Sequence, residues 1–273
     1  MEHTSAEKRY IHGYQEVEQE RLREQALVIE KPIYDALDFS SVTHILEIGS
    51  GVGAQTEVLF RRFPHLQITG VEYEAKQIQK AEWNMQRLGV GSDKVRFIQQ
   101  DAQDLDLPQQ YDGAFICWVL EHVEEPLKVL TSMKPFLKAG ALVSITEVFN
   151  ASFYTYPLIP AVMHYWKVYN EFQISLGGNP HVGAQLGNLL DQAGYKNIQL
   201  RADGFHLDRR DPIQKDRVFE YWKNLMSSGA PLLIDAGVLK AEDVLAMQEG
   251  LEQLKASEDS VFYYSFIQAS ATV

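Results

Sequence analysis

From Thr43 onward, the apolar positions fall alternately into short continuous runs and longer stretches of helical spacing. Runs near 44–48, 68–72, 95–99, 112–117 and 141–147 predict buried strands. Between them, 54–63, 75–88 and 126–137 predict helices with one apolar face. Alternation at this spacing predicts an α/β fold with a doubly wound, mostly parallel sheet built from right-handed crossovers. Ahead of it, residues 14–30, rich in Glu, Gln, Arg and Leu, predict an amphipathic leading helix that ends near Pro32.

After Glu147 the pattern changes. Residues 149–181 gather Phe149, Phe153, Tyr154, Tyr156, His164, Tyr165, Trp166, Tyr169, Phe172 and His181. A helix over 183–193 and a strand near 197–203 resume the alternation, and a helical stretch over about 212–256 precedes a last strand from Val261 to Ala269. The count is seven strands. The expected division is a lid helix over 1–40, a ligand-binding α/β core over 41–150, a cap insertion over 151–182, and the rest of the sheet over 183–273. The two irregular stretches are expected to form one cap over the carboxyl ends of the strands.

The chemistry concentrates in residues 44–53, His-Ile-Leu-Glu-Ile-Gly-Ser-Gly-Val-Gly. A buried strand ends in acidic Glu47, and Gly49, Gly51 and Gly53 then form a turn that lets a ligand lie against bare backbone. A helix N-terminus follows, as in doubly wound domains that hold a nucleotide. Gly49-x-Gly51-x-x-Ala54 loosely fits the dinucleotide fingerprint, with Glu72 ending the second strand as a ribose acceptor. On the turn alone, a nicotinamide dinucleotide and a sulfonium nucleoside both remain open.

Read together, Glu47, the three glycines, Glu72 and Asp101 make the sequence resemble the class I S-adenosylmethionine-dependent methyltransferases. Their acidic-x-Gly-x-Gly-x-Gly pattern is matched by Glu47 to Gly53, and the ribose-binding acid of the second strand by Glu72, with Tyr73 next to it. The Asp-Ala pair after the third strand is matched by Asp101-Ala102, and the fourth-strand segment by Asp112 to Val123, with its Leu-Glu-His-Val. The resemblance covers roughly residues 40–150 and implies S-adenosyl-L-methionine as cofactor. It implies that Glu47 faces the cofactor's amino group, that Glu72 holds the ribose, and that Asp101 meets the adenine amine. Trp118, Leu120 and Ile98 would offer surfaces to the ring, and Glu121-His122 would lie near the reactive end. The segment Tyr10-Ile-His-Gly-Tyr14 and the helix after it resemble the lid of small-molecule methyltransferases, which implies that Tyr14 and Arg21 reach the methionine moiety.

The resemblance thus implies transfer of a methyl group to an oxygen or nitrogen of a small-molecule acceptor, by in-line displacement with the enzyme supplying alignment and desolvation. An acceptor that must lose a proton needs a base, and histidine titrates near neutrality. The candidates are His122, His164 and His181. Tyr156, Tyr165 and Trp166 could form an aromatic wall for the acceptor. A protein or peptide methyltransferase and a cofactor-binding regulatory module without turnover are the alternatives.

Composition narrows the partners. The chain has 273 residues, of which 45% are hydrophobic, enough for a full core. A formal charge of −12 disfavours nucleic acid and anionic lipid. No apolar run approaches the roughly 18 residues of a membrane span. The first nine residues are polar and charged, without a signal-peptide core, so a cytoplasmic location is expected. The lone cysteine, Cys117, excludes an internal disulfide and reads as core. The eight histidines are scattered, and no metal site is expected. A homodimer is left open.

Overall fold

The computed structural model describes residues 11–13 and 15–273. Strands β1 (His44–Ile48), β2 (Gln67–Glu72) and β3 (Val95–Gln99) pair in parallel, and β4 (Tyr111–Cys117) and β5 (Leu137–Val148) extend the parallel set on the other side of β1. The order β3-β2-β1-β4-β5 changes direction between β1 and β4. That reversal opens a crevice at the carboxyl ends of the two strands, where open α/β sheets bind ligands.

Beyond β5 come β6 (Tyr154–Tyr156), β7 (Lys196–Leu207) and β8 (Val261–Thr272). β8 runs antiparallel between β5 and β7. It outruns β5, whose pairing stops at Val148 with Phe266, and β6 takes up residues 261–263 of the vacated edge. The described residues therefore hold eight strands, one more than the sequence pattern predicts. Three residues are too short for any period to register.

Alternation along β1 and β4 sorts side chains to two cores. Ile45 and Phe115 face one, Leu46, Ile48, Ala114 and Ile116 the other. The second core is closed by α4 (Pro126–Met133) and α6 (Leu186–Gln192). The first is covered by α1 (Glu16–Tyr34), α2 (Ala54–Arg62) and α3 (Ala75–Arg87), and continues into α5 (Pro160–Ser175), α7 (Pro212–Ser228), α8 (Ala230–Asp235) and α9 (Ala241–Ala256). Helices α5 and α7 both pack on α9, and α1 packs on α2 and α7. The two late helical stretches and the leading helix thus meet in one layer over the crevice. α4 stops at Met133, earlier than the sequence predicts, because Pro135 lacks the N–H to continue it; a short 3-10 turn over Lys134–Phe136 leads directly into β5.

Candidate active site

The crevice holds a cavity of about 260 Å³ bounded by the glycine turn, the ends of β2 and β4, α1, α5 and α7. At its floor the turn after β1 is pinned to β2: the N–H groups of Gly49 and Ser50 both donate to the Val71 carbonyl, at 2.8 and 3.1 Å. Gly49, Gly51 and Gly53 all have left-handed backbones, with φ of 70°, 52° and 75°. Their roles differ. A Cβ on Gly49 would stand 2.4 Å from Val119, one on Gly53 would stand 3.2 Å from Ala81 of α3, and one on Gly51 would meet nothing within 4 Å. Gly51 faces the cavity, while Gly53 begins α2, lets α3 pack closely and is not on the cavity wall.

Glu72, at the end of β2, is on the wall. Its Oε2 accepts the Gly51 N–H at 2.9 Å and its Oε1 the Glu74 N–H at 2.9 Å. Burial raises its pKa, against the pull of these backbone donors. Tyr73, Asp101 and Ala102 are on the wall beside it, and Asp101 Oδ1 accepts the Gln103 N–H at 3.0 Å. Glu47 lies off the wall. It shares the face of Ile45, so its side chain meets α2, where Thr56 Oγ1 donates to Oε2 at 2.6 Å. Burial pushes its pKa up to about 8, opposed by the Thr56 hydrogen bond and assisted by the charge of Glu72.

β4 ends in Trp118, a non-glycine residue in the left-handed region with φ of 56°. The short 3-10 turn over Leu120–His122 follows. Trp118, Val119, Glu121 and His122 reach the wall, whereas Leu120 turns into the core under α4 and α6. This loop is held from below by Glu147 of β5, whose Oε1 accepts the N–H groups of Val119 (2.9 Å) and Leu120 (2.7 Å). Glu147 is fully buried and its pKa is pushed up to about 8, first by burial and then by the charge of Glu121.

Of the three predicted bases, only His122 is on the wall, with Nε2 3.6 Å from Glu121 Oε1. On α5 the wall residues are Trp166, Tyr169 and Gln173. His164, two positions before Trp166, falls on the opposite, exposed side. His181 packs edge-on against Phe149, outside the cavity. Tyr14 lies outside the described residues. Arg21 is on the wall, but its guanidinium is engaged: Nε and Nη2 donate to Glu18 at 2.7 and 2.6 Å, and Nη1 to Gln25 at 2.7 Å. Sequence reasoning missed His12, which also lines the cavity. Its Nε2 lies 2.8 Å from Tyr169 Oη and its Nδ1 2.6 Å from Ser228 Oγ. Burial, then the charges of Arg21 and His122, hold its pKa well below the usual histidine value.

The aromatic wall differs in membership from the expected one. Tyr156 is exposed, and Tyr165 is buried in the cap with its hydroxyl donating to the Met226 carbonyl at 2.5 Å. Trp166 does line the cavity, joined by Tyr169, Tyr221, Trp222 and Tyr264. The signal for Tyr221 and Trp222 was their place in an apolar stripe of α7 with Val218 and Leu225.

A methionine-nucleoside fits this arrangement. Ser50 Oγ and Trp118 Nε1 are buried on the wall without a partner among the described residues, and Gly51 leaves bare backbone facing the cavity. Glu72 and Asp101 would hold the ribose and the base, and the N-terminal end of α2, with Gly51 and Ser50, the methionine carboxylate.

A parallel sheet with one antiparallel late strand, a glycine turn after β1 and acids at the ends of β2 and β3 define the class I methyltransferase architecture. Residues 46–145 match the family model described as a methyltransferase domain. The matched stretch is a methyltransferase domain covering little more than a third of the chain, and it supports S-adenosyl-L-methionine as the cofactor. The chain is 26% identical over 178 residues to trans-aconitate 2-methyltransferase of Deinococcus radiodurans, covering 64% of this chain and 59% of that protein, so the match spans little more than half of the relative. Two solved structures share the fold. A protein assigned as a sarcosine dimethylglycine methyltransferase from Galdieria sulphuraria superposes with a TM-score of 0.57 at 16% identity, covering 96% of this chain and 92% of that one. Phosphoethanolamine N-methyltransferase 2 of Haemonchus contortus, in complex with phosphomonomethylethanolamine and S-adenosylhomocysteine, superposes with a TM-score of 0.56 at 16% identity, covering 91% of this chain and 52% of that one.

Proposed function

We propose that this protein is an enzyme that transfers the methyl group of S-adenosylmethionine to an oxygen or nitrogen of a small-molecule acceptor in the cytoplasm. The observation that carries this reading is the single cavity that joins the turn after β1 to the aromatic end under α5 and α7, with α1 across both. A roofed chamber of this kind suits a small molecule better than a polypeptide. The relative named for trans-aconitate also supports a small acceptor.

When bound, the cofactor supplies a methyl group on a sulfonium, ready for displacement by a nucleophile in line with the carbon–sulfur bond. The chain's own part is placement and dryness. Glu72 and Asp101 set the nucleoside end, Gly51 and Ser50 the methionine end, Trp118 and Glu121 border the passage to the cap, and the rings of α5 and α7 exclude water around the acceptor. His122 takes the acceptor's proton, being the predicted base that reaches the cavity. Arg21, closed by Glu18 and Gln25, fixes α1 as a wall.

Two measurements test this. S-adenosylhomocysteine is expected to raise the melting temperature while NAD leaves it unchanged; the reverse would reject the assignment. S-adenosylhomocysteine release is then compared between metabolite extracts and peptide pools. Turnover with peptides alone would replace the small-molecule reading.

A further inference from the structure

The aromatic end of the cavity has on its wall a carboxylate, Glu121, with no charged counter-ion among the described residues. Its Oε2 accepts one hydrogen bond, from Gln173 Nε2 at 2.9 Å, and its Oε1 lies 3.6 Å from His122 Nε2. The imidazole does not neutralise it. Gln173 Nε2 can only donate, and it also lies 3.4 Å from His122 Nδ1, so that ring nitrogen keeps a lone pair and the ring is uncharged. Arg21 is committed elsewhere: Glu18 takes its Nε and Nη2 with both carboxylate oxygens, at 2.7 and 2.6 Å, and that pair is neutral. Glu121 therefore sets the sign of this end.

The rest of this end is aromatic. Trp166, Tyr169, Tyr221, Trp222 and Tyr264 line it, with Trp166 stacked on Tyr169 at 5.4 Å between ring centres and Trp222 tilted against Tyr264 at 4.6 Å. Burial first and the Glu121 charge second hold the Tyr264 hydroxyl well above the usual tyrosine pKa, which puts that charge beside the rings. Aromatic faces carry the negative part of a quadrupole and attract a cation within about 6 Å of the ring centre. A carboxylate taken out of water with one hydrogen bond is costly, and an opposite charge offsets the cost. An anion would be repelled by Glu121, and a neutral occupant would leave it uncompensated in a drier site. The chain's formal charge of −12 also draws cations toward the molecule.

We infer that this end of the cavity binds a methyl acceptor that carries an alkylammonium group, with its positive charge opposite Glu121 and its alkyl carbons against the aromatic rings. The inference rests on the methyl-transfer reading for the occupant being an acceptor, and on the cavity itself for the sign of its charge.

The test is a calorimetric titration of the full chain at neutral pH, with and without S-adenosylhomocysteine, using three probes on one benzyl frame: N,N-dimethylbenzylammonium, phenylacetamide and phenylacetate. The ammonium is expected to bind at least tenfold more tightly than the amide or the carboxylate. Glu121→Gln, which keeps an oxygen for Gln173, is expected to weaken ammonium binding at least tenfold and to leave phenylacetamide within twofold, with the melting temperature as the control for folding. Equal or tighter binding of the amide or the carboxylate, no binding of the ammonium, or an unaltered ammonium affinity in folded Glu121→Gln overturns the inference. Unaltered ammonium affinity joined to a loss of S-adenosylmethionine affinity would assign Glu121 to the sulfonium instead. If the variant does not fold, the order of the three probes on the parent protein decides. Failure of S-adenosylhomocysteine to bind at all counts against the proposed function and not against this charge preference, which the titration without it reads separately.

Discussion

Glu147 is bonded to Leu120 across the end of the sheet: the Leu120 N–H donates to Glu147 Oε1 at 2.7 Å, and the same oxygen takes the Val119 N–H at 2.9 Å. A single carboxyl oxygen thereby fixes the loop that carries Trp118, Glu121 and His122 to the cavity. Its second oxygen is buried with no partner among the described residues. Replacing Glu147 by Ala strands two buried donors and is expected to cost about 2–4 kcal/mol of stability. Glu147→Gln, which keeps an oxygen for the two N–H groups, should retain most of it. Urea unfolding of the two variants decides, and equal losses would refute the role of that oxygen.

Glu47 and Glu147 both have their pKa raised to about 8 by burial. Each is protonated in the folded chain and ionised in the unfolded chain between their ordinary value of 4.5 and about 8. The folded state then binds more protons, so their contribution to stability falls as pH rises through that window and levels off above it. Unfolding measured at pH 5.5 and pH 8 is expected to show a smaller loss in the Glu47→Gln, Glu147→Gln double variant than in the parent. Identical losses would mean that neither acid titrates in the window.

The glycines of the turn should separate stability from binding. Gly49→Ala combines a left-handed backbone, worth about 1–2 kcal/mol against an L residue, with an overlap onto Val119. Gly51→Ala carries the backbone strain alone, but its methyl points into the cavity. Gly49→Ala is expected to melt lower than Gly51→Ala, and Gly51→Ala to lose at least tenfold in S-adenosylhomocysteine affinity. Unchanged affinity in Gly51→Ala would place the cofactor elsewhere.

Glu72 gives a graded test of the same site. Its two oxygens hold the Gly51 and Glu74 N–H groups while facing the cavity. Glu72→Ala is expected to weaken S-adenosylhomocysteine binding by about 1–3 kcal/mol, with Glu72→Gln losing less. A folded Glu72→Ala variant of parental affinity, by calorimetry, would remove it from the site.

The histidines divide cleanly by position. His122→Ala is expected to lower turnover at least a hundredfold, within the ~100–10,000-fold range of a proton-accepting group. His164→Ala, on the exposed side of α5, should leave turnover at the parental rate. Equal effects of the two substitutions would dismiss the proton-acceptor role of His122.

Most of the α/β core was legible because its signals are local. Buried strands announce themselves as apolar runs, and the turn after β1 needs glycines that the sequence displays. What was lost depended on side chains meeting from distant segments. Glu47 reads as a cavity acid until the strand's alternation directs it to Thr56 of α2. Arg21 reads as an available cation until Glu18 and Gln25, one helical turn away on either side, close around it. His12 is brought to Tyr169 across 157 positions of sequence, a pairing that no period encodes. β6 exists only because β8 outlasts β5, a fact about the partner strand rather than about Tyr154–Tyr156.

Of the four tryptophans, Trp118, Trp166 and Trp222 surround the cavity, while Trp83 lies on the surface with Lys80 and Arg87 over its ring. Intrinsic emission from this molecule is therefore weighted toward indoles that an occupant would touch. The protein carries its own optical gauge of filling, and quenching by unlabelled compounds can rank acceptors before any product is detected.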